Sequence, residues 1–94
     1  PNRNYLSGRR AEYAARRRLQ LNGYTVVRAA GSKGPIDLVA WNDSELRLIQ
    51  IKSGRKGIAP DELSALQRLP APPLASVEVW EWKRGEWDRI IYVS

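Results

Sequence analysis

Asp37, Gln50 and Lys52 are an acid, an amide and an amine that one hairpin can gather at a single point. Ile36 to Trp41 and Glu45 to Lys52 read as strands rich in apolar residues, joined by a tight turn at Asn42-Asp43-Ser44. With Asp43-Ser44 as a two-residue turn, Asp37 falls opposite Gln50. Alternation then puts Asp37, Val39 and Trp41 on one face with Leu46, Leu48, Gln50 and Lys52. Ile36, Leu38, Ala40, Ile49 and Ile51 take the other, nearly all-apolar face. Polar groups in such surroundings need partners, because burying them alone is costly. Two solutions fit the hairpin equally: a hard divalent cation on oxygen ligands, or a plain Asp37–Lys52 salt bridge with Gln50 a bystander.

Glu12 tips that balance. On a helix, positions 8, 12, 15 and 19 lie close together in rotation, so Glu12 belongs to the stripe of Gly8, Ala15 and Leu19 that would face a sheet. Arg16, one turn on, offers it an ordinary ion-pair partner. Yet Glu12 is the only acid among the first 35 residues. An acid kept on the inward stripe of so basic a helix suits a site.

The residue types that are missing narrow the chemistry further. The chain has no Cys and no His, which removes thiolate and imidazole metal sites and every nucleophile–His pair. Catalysis, if there is any, has to use carboxylates, amides, Lys and hard metals. The absence of Cys and of a signal-like N-terminal order points to an intracellular setting, cytoplasmic or nucleoid-associated. No apolar run is long enough for a membrane span.

Net charge is +6 with a pI near 10.2, and it is unevenly placed. Residues 1–35 hold seven Arg and one Lys against Glu12 alone, whereas residues 57–94 hold four basic side chains against six acids. One basic half on a small domain is the footprint expected for a polyanion partner, with a merely soluble surface as the blander account. Twelve Arg against four Lys favours bidentate phosphate contacts. Arg9, Arg10, Lys33, Arg55 and Lys56 are the candidates, steep in salt dependence as a group.

The elements that must hold these groups follow from punctuation in the chain. Residues 1–8 read as an irregular, flexible arm with Ser7 as an N-cap, and Arg9 to Leu21 as a helix ended by Asn22-Gly23. Tyr24 to Ala29 is a strand, Gly31 to Pro35 a loop, and Ser53 to Gly57 a second, basic loop. A short helix starts at Pro60-Asp61-Glu62, with Leu63, Leu66 and Leu69 on one face, and Pro70 to Pro73 stops it. Ala75 to Trp82 and Trp87 to Val93 form a closing hairpin around Arg84-Gly85. The order is α-β-β-β-α-β-β, a single α/β domain with a mixed sheet over residues 1–94.

Glu12, the segment VVRAAGSKGPIDLVA and the segment LRLIQIKSG together resemble the archaeal-type Holliday-junction resolvases of the PD-(D/E)XK nuclease superfamily. The resemblance is close over residues 8–54. It implies a restriction-endonuclease-like fold, a five-stranded mixed sheet flanked by helices. It further implies metal-assisted hydrolysis of DNA phosphodiesters in four-way junctions, with Mg2+ as cofactor (Mn2+ able to substitute) and a homodimer as the working form. Carried over by resemblance, Asp37, Gln50 and the Ile51 carbonyl hold the metal with Glu12, and Lys52 activates water and steadies the phosphorane. Ser32 matches a serine near the scissile phosphate, although a simple Gly-Ser turn also explains it, and Arg28 matches a basic position. Trp80, Trp82, Trp87 and the second helix's leucines offer a dimer interface, or else fill the core. This chain departs from the pattern at Gln50, where the family usually has Glu. Weaker metal binding is expected, and a less selective nuclease or a junction-binding module of reduced activity are the alternatives.

Overall fold

The computed structural model describes residues 3–29 and 34–93, with side chains in the first helix from Gly8 onward. Helix α1 (Arg3–Leu21) is followed by strands β1 (Thr25–Arg28), β2 (Leu38–Trp41) and β3 (Leu46–Ser53). Helix α2 (Pro60–Gln67) then leads to β4 (Ala75–Lys83) and β5 (Glu86–Tyr92). The strands form one sheet in the order β1-β2-β3-β4-β5, antiparallel except for the parallel β3–β4 pair that α2 bridges. A five-stranded mixed sheet flanked by helices is the architecture expected.

The central hairpin has the expected register, with Leu38 opposite Ile49 and Trp41 opposite Leu46. Its turn is set by Asn42, whose side-chain oxygen accepts the N–H groups of Ser44 at 2.9 Å and Glu45 at 2.8 Å. The closing hairpin turns through Arg84 (φ 54°) and Gly85 (φ 81°), two left-handed residues that suit the twist of the flanking strands.

Two core layers sandwich the sheet. On one side Ala15 and Leu19 of α1 bury Leu38, Ala40, Ile49 and Trp80. On the other, Leu66 of α2 packs on Val77 and Val79, with Leu48, Ile58 and Leu69 around them. Each large apolar side chain buried this way contributes about 1.5–3 kcal/mol. Alternation along the hairpin is therefore as anticipated, with one exception. Ile36 joins the α2-side layer rather than Leu38 and Ala40, because β2 begins at Leu38 and the two-residue period does not reach back to Ile36.

The N-terminal expectation needs correction. Residues 3–8 are not an irregular arm but the first turns of α1, and Ser7 lies inside the helix rather than capping it. Ser7 reads as an N-cap in isolation. In the fold Gly8 lies beside β3, where an added Cβ would sit 3.8 Å from the Ser53 hydroxyl, and docking there carries the helix onward. Of Trp80, Trp82 and Trp87, two fill the core: Trp80 is fully buried and Trp87 meets it edge-on at 5.3 Å, while the half-buried Trp82 meets Trp87 at 4.8 Å outside the core clusters.

Candidate active site

Asp37 ends its loop one residue before β2, where the antiparallel ladder is just forming. Its N–H donates to the Ile49 carbonyl at 2.9 Å, and its Oδ2 accepts the Ile51 N–H at 2.7 Å. The N–H and C=O of one strand residue point toward the same neighbour, so the Ile51 carbonyl faces the Asp37 side as well. The paired register ends at Leu38–Ile49, and because the Asp37 N–H also reaches the Ile49 carbonyl, Asp37 lies against Ile49 rather than one regular step further on, opposite Gln50. Gln50 and Lys52 share one face of β3.

Glu12 comes to this end of the sheet from α1, and its charge is felt at Asp37. Its carboxylate is mostly buried, and Oε1 lies 2.5 Å from Nε of the half-exposed Arg28. That contact is close but poorly directed, so Oε1 has no hydrogen bond despite its burial. The Gln50 Oε1 is likewise buried without a partner. Burial pushes the Asp37 carboxyl above the usual aspartate range, and the Glu12 charge adds to the effect. The Ile51 N–H, and then the Lys52 and Arg28 charges, pull it back without cancelling the rise.

The Glu12 oxygen that meets only the Arg28 charge, the Gln50 oxygen that accepts no hydrogen bond and the desolvated Asp37 carboxylate make up an oxygen donor set. A hard divalent cation fits it, since all the donors are oxygens. Among the described residues no three Asp or Glu side chains come together as a metal-holding group.

Neither of the plain pairings is what forms. Lys52 does not bridge to Asp37; its Nζ bonds Oε2 of Glu62 on α2 at 2.7 Å. Glu12 pairs with Arg28 rather than with Arg16. Arg10, Arg55 and Lys56 are exposed, as is Arg9, which has an interaction of its own. Ser32 and Lys33 lie outside the described residues.

Three acids escaped the sequence reading. Glu62 reads only as a first-turn helix acid, a role it also fills, since Oε1 accepts the Ala59 N–H at 3.2 Å. Glu78 and Glu81 are fully buried although strand alternation alone marks neither. Glu78 is gripped by Arg47 through two bonds of 2.8 and 2.7 Å, with Ser76 and Trp80 donating too. Glu81 takes the Arg89 Nε at 2.5 Å and the Ile58 N–H at 2.9 Å, which pins the basic loop that follows β3.

A mixed sheet with an α1 carboxylate, a strand-end Asp and a Lys two residues beyond Gln50 defines a restriction-endonuclease-like nuclease. Residues 3–61 match the family described as archaeal Holliday junction resolvase (Hjc). The fold is similar to Hjc of Archaeoglobus fulgidus, a Holliday junction resolvase from an archaeal hyperthermophile, with TM-score 0.69 and 28% identity over 92% of this chain and 72% of that one. No curated protein matches the chain. With more than half of its length matched, the chain belongs to the archaeal Holliday junction resolvase family and is a junction-resolving nuclease. Such nucleases use divalent metals and bind branched DNA. None of the helices in the described residues is long and apolar enough to cross a membrane.

Proposed function

We propose that the protein resolves four-way DNA junctions by Mg2+-dependent phosphodiester hydrolysis, acting as an intracellular homodimer that nicks two symmetric strands. The observations that carry this reading are the buried Glu12 and Gln50 oxygens that accept no hydrogen bond, the first of them ion-paired with Arg28, and the desolvated Asp37. Asp37, Gln50 and the Ile51 carbonyl would hold the cation, with Glu12 completing the set. When bound, it supplies positive charge at the phosphate and makes water a stronger acid.

The chain's own groups do the rest. The Ile51 N–H orients the Asp37 carboxylate by its Oδ2, and Oδ1 would be the oxygen offered to the cation. Lys52, an ammonium with three donors, orients the attacking water and a phosphate oxygen. Arg28 steadies Glu12 and offers its exposed remainder to the backbone. Ser32 contacts the scissile phosphate, and Arg9, Arg10, Lys33, Arg55 and Lys56 hold the flanking strands.

The test uses a labelled four-way junction and a matched duplex, with and without Mg2+ or Mn2+, and an Asp37→Ala control. Paired symmetric nicks on the junction alone, abolished by Asp37→Ala, are the expected result. Equal cutting of duplex would mean a less selective nuclease. Gln50 favours one further reading, a junction-binding module with reduced catalysis; binding without cleavage at any metal concentration would establish it.

A further inference from the structure

Lys52 is the only cation on the polar face of the central hairpin, and its neighbour on that face, Gln50, is neutral. A lysine side chain has four rotatable bonds and drifts unless something holds its head. Here the holder comes from a different element. Glu62, in the first turn of α2, meets Lys52 Nζ at 2.7 Å, with both side chains about one third exposed. The other Glu62 oxygen is tied to the Ala59 N–H at 3.2 Å. The carboxylate is thus fixed at one end by the helix start and grips the ammonium at the other. Its proton affinity is lowered, first by the Lys52 bond and then by the Ala59 N–H, as expected of an anion in use.

The geometry points to Glu62 as a positioning residue for this nuclease: it supplies the negative charge that holds Lys52 in place, which Gln50 does not. The inference rests on Lys52 acting in the reaction, as proposed above. It makes position 62 answerable to position 50. If Gln50 were an acid, Lys52 would have an anion on its own strand, and Glu62 would matter less.

A double-variant cycle tests this at saturating Mg2+. Single-turnover cleavage of a four-way junction gives the rate, and gel shift in metal-free buffer gives Kd. Glu62→Gln keeps an acceptor for Ala59 but loses the charge, so a purely structural role would survive it. The expected result is a rate about tenfold lower, with Kd unchanged within about twofold. In the Gln50→Glu background the same change should cost at most about twofold, so the two positions are non-additive. Lys52→Met serves as the reference for losing the ammonium altogether. A dead Lys52→Met beside a Glu62→Gln of unchanged or raised rate overturns the positioning role and leaves the nuclease mechanism standing. A fully active Lys52→Met overturns both. Additive effects at 50 and 62 also overturn the inference, because each residue would then act alone.

Discussion

In the proposed ligand set Gln50 brings a carbonyl oxygen and no charge, so Glu12 and Asp37 would offer a divalent ion two negative charges rather than three. Restoring a charge should therefore act on metal dependence before it acts on rate. Gln50→Glu is expected to lower the Mg2+ concentration for half-maximal junction cleavage on the order of tenfold, about 1.4 kcal/mol in binding. A Mg2+ titration of the cleavage rate reads it directly, and no shift would remove Gln50 from the ligand set. Asp37 carries a second consequence. Burial and the Glu12 charge raise its pKa, so it stays protonated to a higher pH than an ordinary aspartate. A cation and a proton compete for the same carboxylate. The acid limb of the pH–rate profile should lie above the usual carboxylate range and move to lower pH as Mg2+ is increased. At this scale, strand alternation and turn length were enough to set the hairpin register from Leu38–Ile49 to Trp41–Leu46, which ends just short of Asp37. They were not enough to give Lys52 its partner, because Glu62 belongs to another element and no spacing links the two.

Glycine and proline punctuate the elements clearly: Asn22-Gly23, Pro60, Pro70 to Pro73 and Arg84-Gly85 all mark real boundaries. Which strands become neighbours is less legible. Nothing local shows that β3 and β4 run side by side in parallel, with Arg47 reaching across to Glu78. That contact forms only after the crossover through α2 has closed. Once formed it binds the sheet strongly, since the side chain of Arg47 is mostly buried and Glu78 is wholly so. Arg47→Met would leave an unpaired carboxylate inside the protein and should destabilise it by about 3–5 kcal/mol. Burial alone would raise the Glu78 pKa, but the bonds from Arg47, Ser76 and Trp80 prevail and hold it below the ordinary value. The carboxylate is therefore worth stability above the unfolded-state pKa, and that stability is lost as pH falls through the lower folded value. Urea unfolding from pH 7 to pH 3 should show this acid loss, and a variant with apolar residues at both 47 and 78 should show less of it. The loop after β3 is tied to the sheet just as firmly. Gly57 takes φ +65° with the Glu81 carboxylate against it, so Gly57→Ala should cost about 1–2 kcal/mol from the backbone alone and more from the overlap. A lowered Tm with weaker junction binding is the expected pair of results.

Charge across the whole molecule runs one way. Basic residues gather on α1 and in the loop after β3, which Gly8 brings close to α1 by lying against Ser53. The β4–β5 half carries the surplus of acids, two of them buried in ion pairs with Arg47 and Arg89. If DNA lies along α1 and the loop after β3, it meets the exposed Arg10, Arg55 and Lys56 there. Arginines of the same type can thus be sorted by position alone. Each phosphate neutralised releases condensed counterions, so the slope of log Kd against log salt counts the contacts, at about 0.9 per contact. Arg10→Gln and Arg55→Gln, both exposed on the basic side, should each reduce that slope by about one and weaken junction binding at low salt. Arg68→Gln and Arg84→Gln are equally exposed and remove the same formal charge, but they lie outside that basic cluster. They should leave the slope unchanged. Long-range attraction alone would move all four alike, because it depends on net charge and hardly on address. A split between the two pairs would mean that the DNA lies along α1 and the β3 loop, whereas equal shifts would mean that the +6 charge merely draws it in.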